Sequence, residues 1–318
     1  MKHLLSLEKL EREDMEFIIE NTISFKKLRG KENDLFLKGQ TWALLFSKSS
    51  TRTRVSFEVG LRELGANVIF LNARDIQLGR GEPIKDTARV LGRMVHGAII
   101  RTYAQSEVEE FAEYSNIPTI NALTDDEHPC QILTDIFTFQ EFRGSIKGKT
   151  VSFFGDGASN VANSWMFAAA KLGFNLKIAA PLNFQPSENM LKKLQAFPDN
   201  DKGASSEKGF VLPSGSHLTL TESRESAAKD SDLLYTDVWV SMGKEAESEE
   251  RIKQLSPYQL NKTIVSLANK GALVMHCLPA YRGKEIDDET FEQHSNTIFT
   301  QAENRLHTQK SILRWITL

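Results

Sequence analysis

Cysteine is scarce in this chain: Cys130 and Cys277 are the only two in 318 residues. They lie far apart in sequence, so nothing implies a disulfide framework. The seven histidines and two cysteines show no paired ligand spacing, so no metal site is expected. No apolar run reaches the length of a bilayer span, which argues against a transmembrane helix. Neither sign of charge dominates: 39 Lys and Arg stand against 42 Asp and Glu, for a net charge of −3. That balance argues against nucleic acid or an anionic membrane as the main partner and leaves anion binding to local clusters. The start, Met1-Lys2-His3-Leu4-Leu5-Ser6-Leu7-Glu8, turns acidic at once. It has neither a signal peptide's apolar region nor a transit peptide's Arg and Ser bias, and so predicts a cytoplasmic protein. Low-complexity segments and strong internal repeats are missing as well.

What is present suits a soluble globular chain: 40% hydrophobic and 25% charged residues, long enough for two domains with sizeable cores. After a helical reading of 7–36, strand-like and helical segments alternate. Thr41–Phe46 precedes a helix over 54–64, Asn67–Leu71 a helix over 84–94, and Gly97–Arg101 a helix over 106–114. A short strand over 119–121 leads to a connecting helix over 131–142. A second cycle follows, with strands over 150–154 and 176–180, helices over 161–172 and 188–196, and short strands over 218–220, 232–236, 273–276 and 297–300. The segment 198–216 is rich in Asp, Gly, Ser and Pro and reads as an exposed excursion. The end, 304–318, is helical. Such alternation predicts an α/β fold of two similar domains, divided near residue 145, each a parallel sheet flanked by helices.

Ligands of open α/β sheets sit outside the carboxyl ends of strands. Six strand ends here carry polar clusters. After Phe46 comes Ser49-Ser50-Thr51-Arg52-Thr53-Arg54, hydroxyls and guanidiniums at the start of a helix. The free N–H groups and dipole of a helix start favour an anion, and arginine grips phosphate in a bidentate fork, so this stretch reads as a phosphate cradle. The other clusters are Arg101, His128-Pro129-Cys130-Gln131, Asp156 to Asn163, Asp237, and His276-Cys277-Leu278-Pro279. Taken singly, each also suits a helix cap, a turn or a structural hydrogen bond.

Together, in this order, these motifs resemble the aspartate/ornithine transcarbamylase family. Ser50-Thr51-Arg52-Thr53-Arg54 and His128-Pro129-Cys130-Gln131 are similar to its carbamoyl-phosphate signatures. Asp237-Val238-Trp239-Val240-Ser241-Met242-Gly243, His276-Cys277-Leu278-Pro279 and Glu303-Asn304-Arg305-Leu306-His307 resemble its ornithine-specific branch. The resemblance covers nearly the whole chain. It implies a carbamoyl-phosphate-binding domain over 1–145, joined by a C-terminal helix over 304–318 that packs back on it, and an ornithine-binding domain over 146–303.

The same resemblance implies transfer of a carbamoyl group from carbamoyl phosphate to the δ-amine of L-ornithine, giving citrulline and phosphate. No metal or organic cofactor is needed. Ser50, Thr51, Arg52 and Thr53 would hold the phosphate. Arg101 and His128 would point at the carbamoyl oxygen and stabilise its developing charge. Gln131 would accept from the carbamoyl amine, and Arg305, at the head of the last helix, would bind the carbamoyl oxygen or close the site. The loop Gln77-Leu78-Gly79-Arg80-Gly81-Glu82 would reach a neighbouring subunit's site through Gln77, which implies a homo-oligomer, usually a trimer. Gly81 stands where some relatives carry lysine.

Asn160, Ser241 and Met242 would hold ornithine's α-groups, and Asp237 its α-ammonium. Ser159 stands where the family often has a first asparagine, and is expected to offer a shorter, weaker contact. Cys277 and Leu278 would line the pocket around the δ-amine and touch the carbamoyl group. The δ-amine must lose a proton from a lysine-like pKa near 10 before it attacks. The Cys277 thiol, aligned by Asp237, would handle that proton; as a bare sequence feature it equally suits a buried, inert cysteine. Arg52, Arg101, His128, Asp237 and Cys277 are thus the expected catalytic residues. Carbamoyl phosphate would bind first, and the two halves would then close to exclude water.

Three rival readings differ in their features. A dinucleotide-binding enzyme would need G-x-G-x-x-G where Phe154-Gly155-Asp156-Gly157 stands, and an acid after the next strand, which ends Ile178-Ala179-Ala180-Pro181. A transcarbamylase for aspartate would need a basic site for the extra carboxylate, and one for acylated ornithine a site without the Asp237–Gly243 loop. An inactive paralogue would be expected to lose Arg101, His128 or Asp237, and all three are present.

Overall fold

In the computed structural model the described residues are 1–31, 34–73, 81–198, 207–240 and 248–318. The chain divides into two compact units, Met1–Phe137 with Glu303–Leu318, and Thr138–Ala302. Along the first run α1 (Arg12–Lys27), β1 (Thr41–Phe46), α2 (Thr51–Glu63), β2 (Asn67–Asn72), α3 (Ile84–Leu91), β3 (Gly97–Arg101), α4 (Gln105–Ser115), β4 (Thr119–Leu123) and α5 (Pro129–Arg143) follow one another. Then come β5 (Thr150–Phe154), α6 (Asn160–Leu172), β6 (Asn175–Ala179), α7 (Glu188–Lys193), β7 (Phe197–Pro198), β8 (Glu207–Val211), β9 (His217–Thr221), α8 (Arg224–Ala228), β10 (Leu233–Thr236), α9 (Ser248–Leu255), α10 (Lys262–Val265), β11 (Leu273–His276), α11 (Asp288–Gln293) and α12 (Ser295–Ile316).

The first unit holds a parallel four-stranded sheet in the order β2-β1-β3-β4. Its central strands are covered on both faces and read as unbroken apolar runs, as in Trp42-Ala43-Leu44-Leu45-Phe46. Edge strand β2 alternates instead between exposed and half-buried residues. Gly97 is required by packing, since a Cβ there would lie 2.4 Å from the Trp42 ring. A core of Ala43, Leu45, Ala98, Ile100, Val108 and Phe111 lies under α3 and α4.

The C-terminal residues of α12 pack back on this unit. Ser311 Oγ donates to the Ile18 carbonyl at 2.6 Å, Trp315 Nε1 to Asp14 at 2.6 Å, and Lys26 Nζ to Asn304 at 2.8 Å. Lys310, wholly buried, pairs with Glu63 at the end of α2.

The second unit holds a seven-stranded sheet, β11-β10-β5-β6-β9-β8-β7, parallel from β11 to β9 and antiparallel at the β8 and β7 edge. Phe154, Ala179, Leu234, Val274, Phe291 and Ile298 build its core under α8, α10 and α11.

Three sequence readings are corrected. The helix read over 7–36 runs only over Arg12–Lys27. Leu4, Leu7 and Leu10 are buried, but the backbone around them is irregular, with Leu4 bridged to Ile120; their apolar spacing reflects packing rather than helix. The segment 297–300, read as a strand, lies inside α12: burial of Ile298 overrides its β-branched composition. The excursion over 198–216 contains strand β8, which pairs with β9 through the turn after Leu212, while 199–206 lie outside the described residues.

Candidate active site

In the first unit the β1–α2 junction forms as read. Ser50 is the N-cap of α2, and its Oγ accepts from Thr53 N at 3.2 Å. In that first turn Thr51 is exposed, Arg52 half-buried and Thr53 buried. Arg54 points elsewhere: it pairs with Glu58 at 2.8 Å and lies 3.6 Å over the Phe70 ring. The parallel register sets Phe46 beside Arg101, and Ser47 N donates to the Arg101 carbonyl at 2.8 Å. Cradle and Arg101 therefore leave neighbouring strand ends.

Arg305 joins three helices. Its Nη1 donates to Gln131 Oε1 at 2.6 Å and its Nη2 to Thr53 Oγ1 at 3.0 Å, all three side chains being buried. It sits well inside α12 rather than at the head of the last helix, because that helix starts at Ser295. Gln131 also donates from Nε2 to Asp135 at 2.8 Å, so both ends of its amide are engaged. Burial, then the charges of Arg305 and Arg101, push the His128 imidazole well below its ordinary pKa. It is therefore neutral near pH 7 and keeps one N–H to donate.

Cys130, in the same signature, is fully buried. Its thiol is pushed up to about 12 and donates to the Asn121 carbonyl at 3.4 Å, the condition of an inert core cysteine. Sequence reasoning missed Lys48, almost completely buried, which pairs with Asp125 and lies 4.3 Å over the Tyr103 ring. Its place two residues before Ser50 was the available signal.

In the second unit β10 and β11 run parallel with Thr236 beside His276, so the next residues, Asp237 and Cys277, meet. Cys277 Sγ donates to Asp237 Oδ1 at 2.8 Å, and Val238 N donates to the same oxygen at 2.7 Å. Burial raises the Asp237 carboxyl above its ordinary range, against the pull of His276 and of these two hydrogen bonds. Asn160 is half-buried at the first position of α6. Ser159 caps that helix, its Oγ accepting from Ala162 N at 3.2 Å, an engagement that shortens its reach toward a ligand.

Sequence reasoning also missed the support beneath Cys277. His276 Nδ1 accepts from Leu278 N at 2.9 Å, which places the ring proton on Nε2, 3.1 Å from Glu285 Oε1. Both side chains are fully buried. Glu285 Oε1 also accepts from Tyr281 N at 2.5 Å, and Gln301 Oε1 accepts from His276 N at 3.0 Å. These bonds hold Leu278 at φ +58°, in the left-handed region, beside a cis Leu278–Pro279 bond. A carboxylate oxygen of Asp237, a ring nitrogen of His276 and the Cys277 sulfur lie within 4.8 Å of one another, a proximity that the sequence spacing did not show. Both ring nitrogens of His276 are already engaged, so the trio fits a hydrogen-bonded support better than a ligand set. Gln77, Ser241 and Met242 lie outside the described residues.

Residues 2–141 match the carbamoyl-P binding domain of aspartate/ornithine carbamoyltransferases, and residues 147–316 match the Asp/Orn binding domain. The chain is 50% identical to an ornithine carbamoyltransferase of Akkermansia muciniphila, over 98% of this chain and 97% of that protein. An anabolic ornithine carbamoyltransferase from Campylobacter jejuni superposes with a TM-score of 0.88 at 39% identity, covering 100% of this chain and 99% of that one. The ornithine carbamoyltransferase of Pyrococcus furiosus does so at 0.87 and 42%, covering 98% and 96%. With both domain descriptions matched and half of all aligned residues shared with a relative over nearly its full length, the chain belongs to the aspartate/ornithine carbamoyltransferase family.

Proposed function

We propose that this protein transfers the carbamoyl group of carbamoyl phosphate to the δ-amine of L-ornithine, giving L-citrulline and phosphate. The observation that carries the reading is the cradle at the start of α2. There a helix N-terminus, Arg52 and the buried Arg305–Gln131–Thr53 network lie in the unit that matches a carbamoyl-P binding domain.

Ser50, Thr51, Arg52 and Thr53 hold the phosphate. Arg101 and neutral His128 donate to the carbamoyl oxygen, where negative charge develops as the carbon becomes tetrahedral. Gln131 orients the carbamoyl amine, and Arg305 fixes Gln131. In the ornithine-binding unit, Asn160, Asp237, Ser241 and Met242 hold the amino acid's α-groups, and Cys277 and Leu278 line the pocket of the δ-amine.

The neutral δ-nitrogen attacks with its lone pair, forming the C–N bond. The bond from the carbamoyl carbon to the bridging oxygen then breaks, and phosphate leaves with the electron pair. The proton shed by the nitrogen passes to the Asp237–Cys277 pair. That role suits a carboxyl whose proton affinity is raised by burial. Fixed donors and orientation supply most of the acceleration, and no step needs a metal or organic cofactor.

The assignment of 1–145 with 304–318 to carbamoyl phosphate, and of 146–303 to ornithine, is supported by the compact units and by the two matched domains. A homotrimer whose Gln77 loop reaches a neighbouring subunit follows from the family likeness. Among the described residues no helix is long and apolar enough to cross a membrane.

The test is citrulline formation by purified protein at about pH 8, where part of the δ-amine is deprotonated, with aspartate, putrescine and N-acetylornithine as alternative acceptors. Turnover with ornithine alone is expected. Turnover with another amine overturns the ornithine half of the reading, and none with any amine overturns catalysis.

A further inference from the structure

Two loops of the second unit carry its proposed amino-acid contacts. One follows β5 and leads to Asn160; the other follows β10 and begins with Asp237. The loops are fastened at their base, where Thr236 Oγ1 donates to the Phe154 carbonyl at 2.8 Å. One step further, Gly155 (φ +125°) lies against Trp239, whose Cδ1 and Nε1 would be 3.5 Å from an added Cβ.

A third fastening is made by a charge that the proposed chemistry does not use. Arg251, on α9, is buried and forks between the loops. Its Nη2 donates to Asp156 Oδ2 at 2.5 Å and its Nε to the Trp239 carbonyl at 3.0 Å. The other Asp156 oxygen accepts from Ala158 N at 3.0 Å, and the Asp156 carbonyl from Ser159 N at 3.1 Å. Asp156 thereby shapes the turn that ends at Asn160. The two charged side chains are only 8% and 9% exposed. A buried ion pair seldom adds net stability over an apolar replacement, because desolvation consumes most of the attraction. Its benefit lies in geometry, and a planar guanidinium can hold two acceptors at a fixed separation where an ammonium cannot.

We propose that Arg251 and Asp156 are a positioning pair that sets the distance between Asn160 and Asp237 and so determines affinity for the amino-acid substrate. The inference rests on the reading of those two residues as ornithine contacts. Neither member of the pair touches the substrate. Loosening the fork therefore weakens ornithine while leaving the carbamoyl-phosphate unit unaffected.

The test uses the whole enzyme. Wild type is first shown to make citrulline from ornithine; failure there overturns the function itself and is distinguishable from failure of the fork alone. Arg251→Met, of similar volume, and Asp156→Asn are then compared with wild type for both substrates. The KM for ornithine is expected to rise about tenfold or more, with the KM for carbamoyl phosphate constant and kcat changed less than about threefold. The Kd of L-norvaline, ornithine without its δ-amine, is expected to rise by the same factor in calorimetry. Arg251→Lys keeps the charge and one acceptor but cannot span both, and is expected to give a rise of about threefold or more. It carries the test if the Met variant fails to fold. An unchanged ornithine KM in the folded variants overturns the proposal, and so does an equal rise in both KM values.

Discussion

Replacing Arg305 by methionine keeps most of the side-chain volume and removes the guanidinium that joins α12 to α2 and α5. Two buried hydrogen bonds are lost, to Gln131 at 2.6 Å and to Thr53 at 3.0 Å. Bonds to a charged donor contribute about 1.5 kcal/mol or more each, so the expected loss is about 3 kcal/mol. For a chain of 318 residues that lowers Tm by roughly 4–5 °C.

The same change has a second signature. Arg305 is, after burial, the main cause of the low His128 pKa. A histidine whose folded pKa lies below its unfolded value of 6.5 contributes full stability above 6.5. That contribution is lost as pH falls from there toward the folded pKa, at up to about 1.4 kcal/mol per pH unit. Without Arg305 the folded value moves back up and the window narrows. Urea denaturation of wild type and Arg305→Met at neutral pH and again at about pH 5, below the ordinary histidine range, reads both effects. The variant should be less stable at neutral pH but lose less on acidification. An unchanged midpoint at neutral pH refutes the bridging role. An unchanged acid loss refutes the electrostatic account of His128.

Asp237→Asn leaves an oxygen that can still accept from the Cys277 thiol but removes the carboxyl with raised proton affinity; citrulline formation should fall by roughly 10²–10⁴-fold, with carbamoyl-phosphate binding intact by calorimetry. Glu285→Leu leaves the His276 Nε2 proton and Tyr281 N without their acceptor, and should cost about 2–3 kcal/mol in denaturation together with a loss of turnover. Gly155→Ala puts a side chain at φ +125°, where only glycine is relaxed, and should destabilise by about 1–3 kcal/mol in a thermal melt.

Much of the fold was legible because its signals are local. Strands β1, β3 and β5 are apolar runs of five or six residues, each followed within a few residues by a helix, and they were placed within a residue or two. The phosphate cradle was equally legible, since strand end, Ser50 cap and first helical turn lie within about ten consecutive positions. Where tertiary burial overrode local preference, reading failed: Leu7 and Leu10 are helically spaced yet non-helical, and 297–300 is β-branched yet helical. Strand β8, next to the short edge strand β7, was hidden because its residues, Glu207 to Val211, form no apolar run.

The sequence by itself determined an α/β chain with two cycles of strand and helix, the Ser50–Arg54 cradle, and motifs specific enough to point to one family. Each of these depends on residues close together along the chain. Only the tertiary structure decided that Arg305 reaches Gln131 and Thr53, that Cys277 donates to Asp237, that His276 is locked between Leu278 and Glu285, and that Arg251 spans Asp156 and Trp239. These contacts join residues as far as 252 positions apart. Their partners are set by strand register and helix packing, which no local pattern encodes.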